Sequence, residues 1–215
     1  MQDSRVNLAF DPGKNQDRNG ESETSFLKMK MNLENYLEMT DYLWHSISSK
    51  LFVKIVRKNE VFIKAGEYCH HIFFINKGIV RFFYFSGDAE ITSCFSFQNS
   101  FITALSSCIL HKPSFENAQA LMDTELVAID YADMLKMFDQ SHSIERLRRL
   151  LMENAYTELE GRMFSDFRTD AESKYRNLLK TGHPDIIKKI PLKLIASYLG
   201  VAPETLSRIR KKLTD

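Results

Sequence analysis

A chain of 215 residues with 44% hydrophobic content can fill the core of one large domain or two ordinary ones. Its formal net charge of +1 excludes a uniformly basic coat, so a polyanionic partner would have to be met by a local patch. Cys69, Cys94 and Cys108 fit neither a disulfide framework nor a metal-ligand spacing, and no run approaches the roughly 18 apolar residues of a membrane span; a reducing cytoplasm and no membrane are expected.

Residues 11–25, DPGKNQDRNGESETS, hold no large apolar side chain and are crowded with turn formers, so a disordered leader is expected over 1–27. FLKMKMNLENYLEMTDYLW, from Phe26, predicts a short helix or two packed on the residues C-terminal to them. From Leu51 to Asp130 the runs LFVKIV, EVFIKAG, HIFFINKG, IVRFFYF, EITSCFSF and ELVAID are short, rich in Val, Ile and aromatics, and broken by Gly, Asn and Asp. Such spacing predicts an antiparallel sandwich or barrel-like roll. After Asp139, Ile144, Leu147, Leu151, Ala155, Leu159, Met163 and Phe167 recur every three or four residues, which predicts one long helix. Because steps of four precess around a helix, the stripe suits a helix that packs on its own domain and also on a second chain; packing on its own chain alone is the alternative. A further helix is expected after a break near Arg168, opened by a Thr169 or Asp170 cap and closed by Gly182.

LIASYLGVAPETLSRIRKKL, residues 194–213, has the pattern of two helices crossing at a tight turn. Ala196 supplies a small residue at the crossing and Gly200 tolerates positive φ. With Leu192 as the first position, Ile195, Leu199, Val201, Leu206 and Ile209 fall where the pair must bury one shared face. Pro203 suits the first turn of the second helix and Glu204 its positive end. Thr205, Ser207 and Arg208 remain on the outer face. Between Ile186 and Leu213 seven basic residues (Lys188, Lys189, Lys193, Arg208, Arg210, Lys211, Lys212) stand against one acid, Glu204. A hairpin that only finishes a core needs no such cations, whereas a helix entering a major groove needs them at the phosphates on either side.

The order of β-roll, long helix, hinge and terminal helix-turn-helix resembles the Crp/Fnr family of bacterial transcription regulators over roughly residues 48–215. In the roll the likeness rests on Ala65-Gly66-Glu67, Asn76-Lys77-Gly78 and ALMDTELVAID, residues 120–130. The resemblance implies an α+β fold: an N-terminal antiparallel β-roll of double-stranded β-helix or jelly-roll type over 28–140, a dimerisation helix over 141–168, and a C-terminal winged helix-turn-helix over 169–215. It further implies a homodimer on a palindromic operator in double-stranded DNA, with RNA polymerase as a partner. Lys193, Glu204, Thr205, Ser207, Arg208, Lys211 and Lys212 are the expected DNA-binding residues. Members that bind cyclic AMP commonly carry another arginine where Pro203 stands, and proline has no donor for guanine, so the family's usual half-site is not implied.

Those members that bind cyclic AMP hold its phosphate with a short helix N-terminus after Gly-Glu and with an Arg-Ser pair. The matching segment here, residues 91–115, contains no Gly, Asp, Glu or Arg, and His111 and Lys112 are its only candidate cations. The nucleotide site is therefore expected to be lost and the effector, if a small molecule, to be another; the Phe- and Ser-rich stretch 95–107 is either the wall of an apolar pocket or simply core. No cofactor is expected: the first 68 residues hold no cysteine for an iron–sulfur cluster, and Cys69, His70 and His71 are the residues a haem could use. No nucleophile–base pair or phosphate loop points to an enzyme. A sensing or protein-interaction module that no longer binds DNA is the alternative function.

Overall fold

The computed structural model describes residues 19–168, 170–181 and 183–214. Most of the expected leader lies outside the described residues, but from Asn19 the chain is helical, not disordered: α1 spans Asn19–Leu33. Its residues Ser25, Met29 and Leu33 recur at steps of four and are buried against the roll. The Ser25 hydroxyl donates to the Glu125 carboxylate there. A second helix, α2 (Asp41–Ser48), is capped by Thr40, whose hydroxyl accepts from Leu43 N–H at 3.3 Å.

Two four-stranded antiparallel sheets form the roll. One has the order β1 (Phe52–Val56), β8 (Thr124–Asp130), β3 (His71–Lys77) and β6 (Phe101–Ile102). The other has the order β2 (Val61–Ile63), β7 (Asn117–Ala120), β4 (Ile79–Ser86) and β5 (Ala89–Phe97). Alternate residues divide between layers. Val56, Phe73, Ile75, Val80, Phe82, Leu126 and Ala128 fill the space between the sheets, while Phe74, Val127 and Ile129 turn outward onto α1, α2 and the helices after the roll. Gly78 joins β3 to β4 at φ +130°, and a Cβ there would collide with the Thr124 side chain, so only glycine fits.

Two strands went unpredicted. β6 is two residues long, and β7 reads NAQA, without β-branched or aromatic residues. The strand pairs with β2 and β4, and its Ala118 and Ala120 are fully buried in the core between the sheets. Between β6 and β7 lies a short helix, α3 (Leu105–Leu110).

The Asp130 carboxylate caps α4 (Tyr131–Gln140), and α5 runs from His142 to Arg168, about 40 Å at the helical rise. The remaining described residues form α6 (Ala171–Thr181), α7 (Asp185–Lys189), α8 (Leu192–Leu199) and α9 (Pro203–Thr214). Of the two expected caps for α6, Asp170 takes the role, accepting from Ser173 N–H at 2.7 Å; Thr169 and Gly182 lie outside the described residues. Among the described residues no strand follows β8, so the wing expected beside the helix-turn-helix is absent from them, and α6 to α9 are the elements after α5. Among the described residues no helix is long and apolar enough to cross a membrane.

Candidate DNA-reading helix and effector cavity

The turn between α8 and α9 is set by backbone chemistry. Gly200 stands at φ +69°, its N–H bonds Ser197 O at 3.2 Å, and Val201 N–H bonds Ala196 O at 3.0 Å, which closes α8 with a Schellman motif. Pro203 then opens α9, and Leu206 N–H bonds Ala202 O at 3.1 Å. Of the five positions expected inside, Ile195, Leu199 and Leu206 are buried and Val201 and Ile209 half-buried. They share a core with Tyr175, Ile186, Ile190 and Ala196.

That burial orients the rest of α9. Glu204, Ser207, Arg208 and Lys211 are all exposed, and three of them follow the i, i+4, i+7 spacing of one helix face; Thr205 is half-buried. Lys212 is exposed but engaged: its Nζ lies 2.7 Å from the Glu172 carboxylate of α6, which Arg176 also contacts at 2.8 Å. The two cations hold the Glu172 carboxyl below its ordinary range. Lys193 is exposed on α8, apart from the row on α9.

The other candidate site is a cavity of about 430 Å³ where the roll meets α1, α4 and α5. Its wall is largely apolar, with Leu33, Phe82, Leu105, Met134 and Leu147 among its residues. Thr103, Leu105, Ser96 and Phe101 bring the stretch 95–107 into that wall, so this stretch is a pocket wall as well as core. Glu116, one residue beyond the segment without carboxylates, also faces the cavity; burial pushes its carboxyl up, while a 3.1 Å hydrogen bond from Ser93 opposes the shift. The guanidinium in the wall comes from α5, as Arg148, stacked 4.9 Å from the Phe138 ring. His111 and Lys112 are exposed and do not line it. Arg81, in the roll, instead donates to Glu90 at 2.7 Å and Thr92 at 2.9 Å.

Sequence reasoning missed how the roll meets the terminal helices. Along β5, Cys94 and Ser96 face the cavity, whereas Phe95 and Phe97 join the core of the helix-turn-helix. Phe95 packs on Tyr198 at 5.4 Å, and Phe97 stacks on His183 at 4.2 Å. The Ser197 hydroxyl accepts from Thr92 N–H and donates to Glu90 O, both at 2.9 Å. The alternation in EITSCFSF was the available signal. As for the residues a haem could use, half-buried His71 sits edge-on to Phe52 at 5.5 Å, and Cys69 is buried. Among the described residues no group of three or more His, Cys, Asp or Glu converges as a metal site would.

Residues 53–141 match the family model of the cyclic nucleotide-binding domain. No curated protein sequence matches the chain. Among solved structures, FixK2 from Bradyrhizobium japonicum superposes with a TM-score of 0.66 at 17% identity, covering 76% of this chain and 84% of its own. A Crp/Fnr-family regulator from Eubacterium rectale gives 0.64 at 20%, covering 84% and 88%. The c-di-GMP-responsive regulator CLP from Xanthomonas campestris gives 0.59 at 14%, covering 79% and 89%. The chain therefore has the Crp/Fnr regulator fold, in which a cyclic nucleotide-binding domain is joined by one long helix to a terminal helix-turn-helix.

Proposed function

We propose that this chain is a homodimeric, DNA-binding transcription regulator of Crp/Fnr type, cytoplasmic, with RNA polymerase as its further partner and an effector other than cyclic AMP. The observation that carries the reading is the division of α9: Leu206 is fully buried while Glu204, Ser207, Arg208 and Lys211 face outward together. Base-reading arginine and phosphate-binding lysine then occupy one groove-facing helix. Selection from a random duplex pool tests it. The purified chain should enrich two inverted half-sites centred about 10 base pairs apart, one helical turn, as two-fold symmetry requires. Failure of the folded chain to enrich any duplex sequence would overturn it.

An effector in the cavity would reach α9 through β5, whose opposite faces touch the cavity and α8. Cyclic AMP does not suit the chain: its phosphate calls for a bidentate arginine and free backbone N–H groups, residues 91–115 contain neither arginine nor glycine, and the guanidinium in the cavity wall, Arg148 of α5, lies against the Phe138 ring. Titration calorimetry should show no saturable binding of cyclic AMP below about 10 μM, the affinity that corresponds to about −7 kcal/mol. Saturation in that range would show that some other part of the roll supplies the site.

A further inference from the structure

Cys69 and Cys108 lie 39 residues apart in sequence and meet inside the roll. Cys69 sits in the turn before β3 and Cys108 in α3, and they are only 7% and 3% exposed. Both sulfurs rest on one hydroxyl, that of Thr103, with Cys69 Sγ at 3.6 Å and Cys108 Sγ at 3.3 Å. The Cys108 thiol also lies 3.2 Å from the Cys69 carbonyl as a donor, and Cys69 N–H bonds the hydroxyl of Ser107, the residue next to Cys108, at 3.0 Å. The two segments are thus held together by hydrogen bonds as well as by packing.

The thiols differ in character although they share the Thr103 hydroxyl. Hydrogen bonding from Cys108 holds the Cys69 thiol below the ordinary thiol range, whereas the same contact and burial push the Cys108 thiol up. A cavity of about 90 Å³ borders both, walled by Tyr68, His70, His111 and Tyr131. That is several times the space one water occupies, enough for a small oxidant. With no third ligand converging on them among the described residues, the pair is better suited to redox chemistry than to holding a metal.

We propose that Cys69 and Cys108 form a reversible dithiol–disulfide site that responds to hydrogen peroxide. The Cys69 thiolate attacks the peroxide: an S–O bond forms, the O–O bond breaks, and the departing hydroxide takes up a proton as water. The Cys108 sulfur then attacks the Cys69 sulfenic acid. An S–S bond forms, the S–O bond breaks, and the hydroxide leaves as water with the Cys108 proton. In sum two thiols and one hydrogen peroxide give one disulfide and two waters, and two electrons pass from the sulfurs to the peroxide. An external dithiol reverses the change. The cross-link fastens α3 to the turn before β3, and since Thr103 and Leu105 belong to the wall of the larger cavity, oxidation stiffens that wall.

The test uses the full chain, reduced and then treated with equimolar hydrogen peroxide under native conditions. After denaturation, the thiol count should fall from three to one, and peptide mapping should show a Cys69–Cys108 link that dithiothreitol removes. Cys94→Ser should retain the link. Cys108→Ser should stop at a Cys69 sulfenic acid that dimedone traps, with the circular dichroism of the parent chain. A link to Cys94, a link between chains, or retention of all three thiols would overturn the proposal. The wild-type map decides the matter even where a cysteine variant fails to fold.

Discussion

Leu159→Asp should convert the chain from dimer to monomer at micromolar concentration and weaken binding to a palindromic operator by about 100-fold or more. The structure narrows where the interface would lie. Ile144 and Leu147 are buried, and Leu151 is half-buried against the roll's outer core, so the first part of the expected stripe belongs to the chain's own fold. Beyond it Met152, Tyr156, Leu159 and Met163 are exposed at steps of four, three and four, the alternation of steps in a coiled-coil seam; Tyr156 is 65% and Leu159 49% exposed. The side chain of Phe167 lies outside the described residues. Burying one leucine contributes about 1.5–3 kcal/mol, two-fold symmetry doubles the loss, and desolvating an aspartate on each helix adds to it. Sedimentation equilibrium and operator titration on the same variant check this. A variant that stayed dimeric would move the interface elsewhere. Leu151→Asp, by contrast, should lower the melting temperature, because it places a charge against the chain's own core.

Arg208→Ala should cost about 1–3 kcal/mol on the selected operator and much less on random duplex, so that specificity falls. Lys211→Ala should weaken both duplexes alike and make the slope of log K against log salt shallower by about one unit. Lys212→Ala should change that slope less, since its ammonium is paired with Glu172 and releasing it from an exposed ion pair offsets part of a phosphate contact. Both duplexes must be titrated at several salt concentrations, because a single affinity cannot separate a lost base contact from a lost phosphate contact. Equal losses on operator and random DNA for Arg208→Ala would mean that α9 enters the groove in another orientation.

Features specified by near neighbours in the chain were readable from residues alone. The helix-turn-helix depends on spacings of three and four residues, a glycine that can take φ +69° and a proline at a first turn, all encoded within twenty positions. The same holds for the strand runs between turn residues and for the length of α5. What escaped depends on partners far along the chain. NAQA becomes β7 because β2 and β4 pair with it on either side and Ala118 and Ala120 enter the core between the sheets, and α1 begins at Asn19, within a polar stretch, because Met29 and Leu33 find the outer face of a sheet about 100 residues later. Which apolar residues of α5 remain exposed, which face of β5 meets the cavity, and the meeting of Cys69 with Cys108 were likewise decided only when the sheets and helices packed. Periodicity shows that a residue shares a face with its neighbours along the helix or strand; it carries no record of what that face will meet.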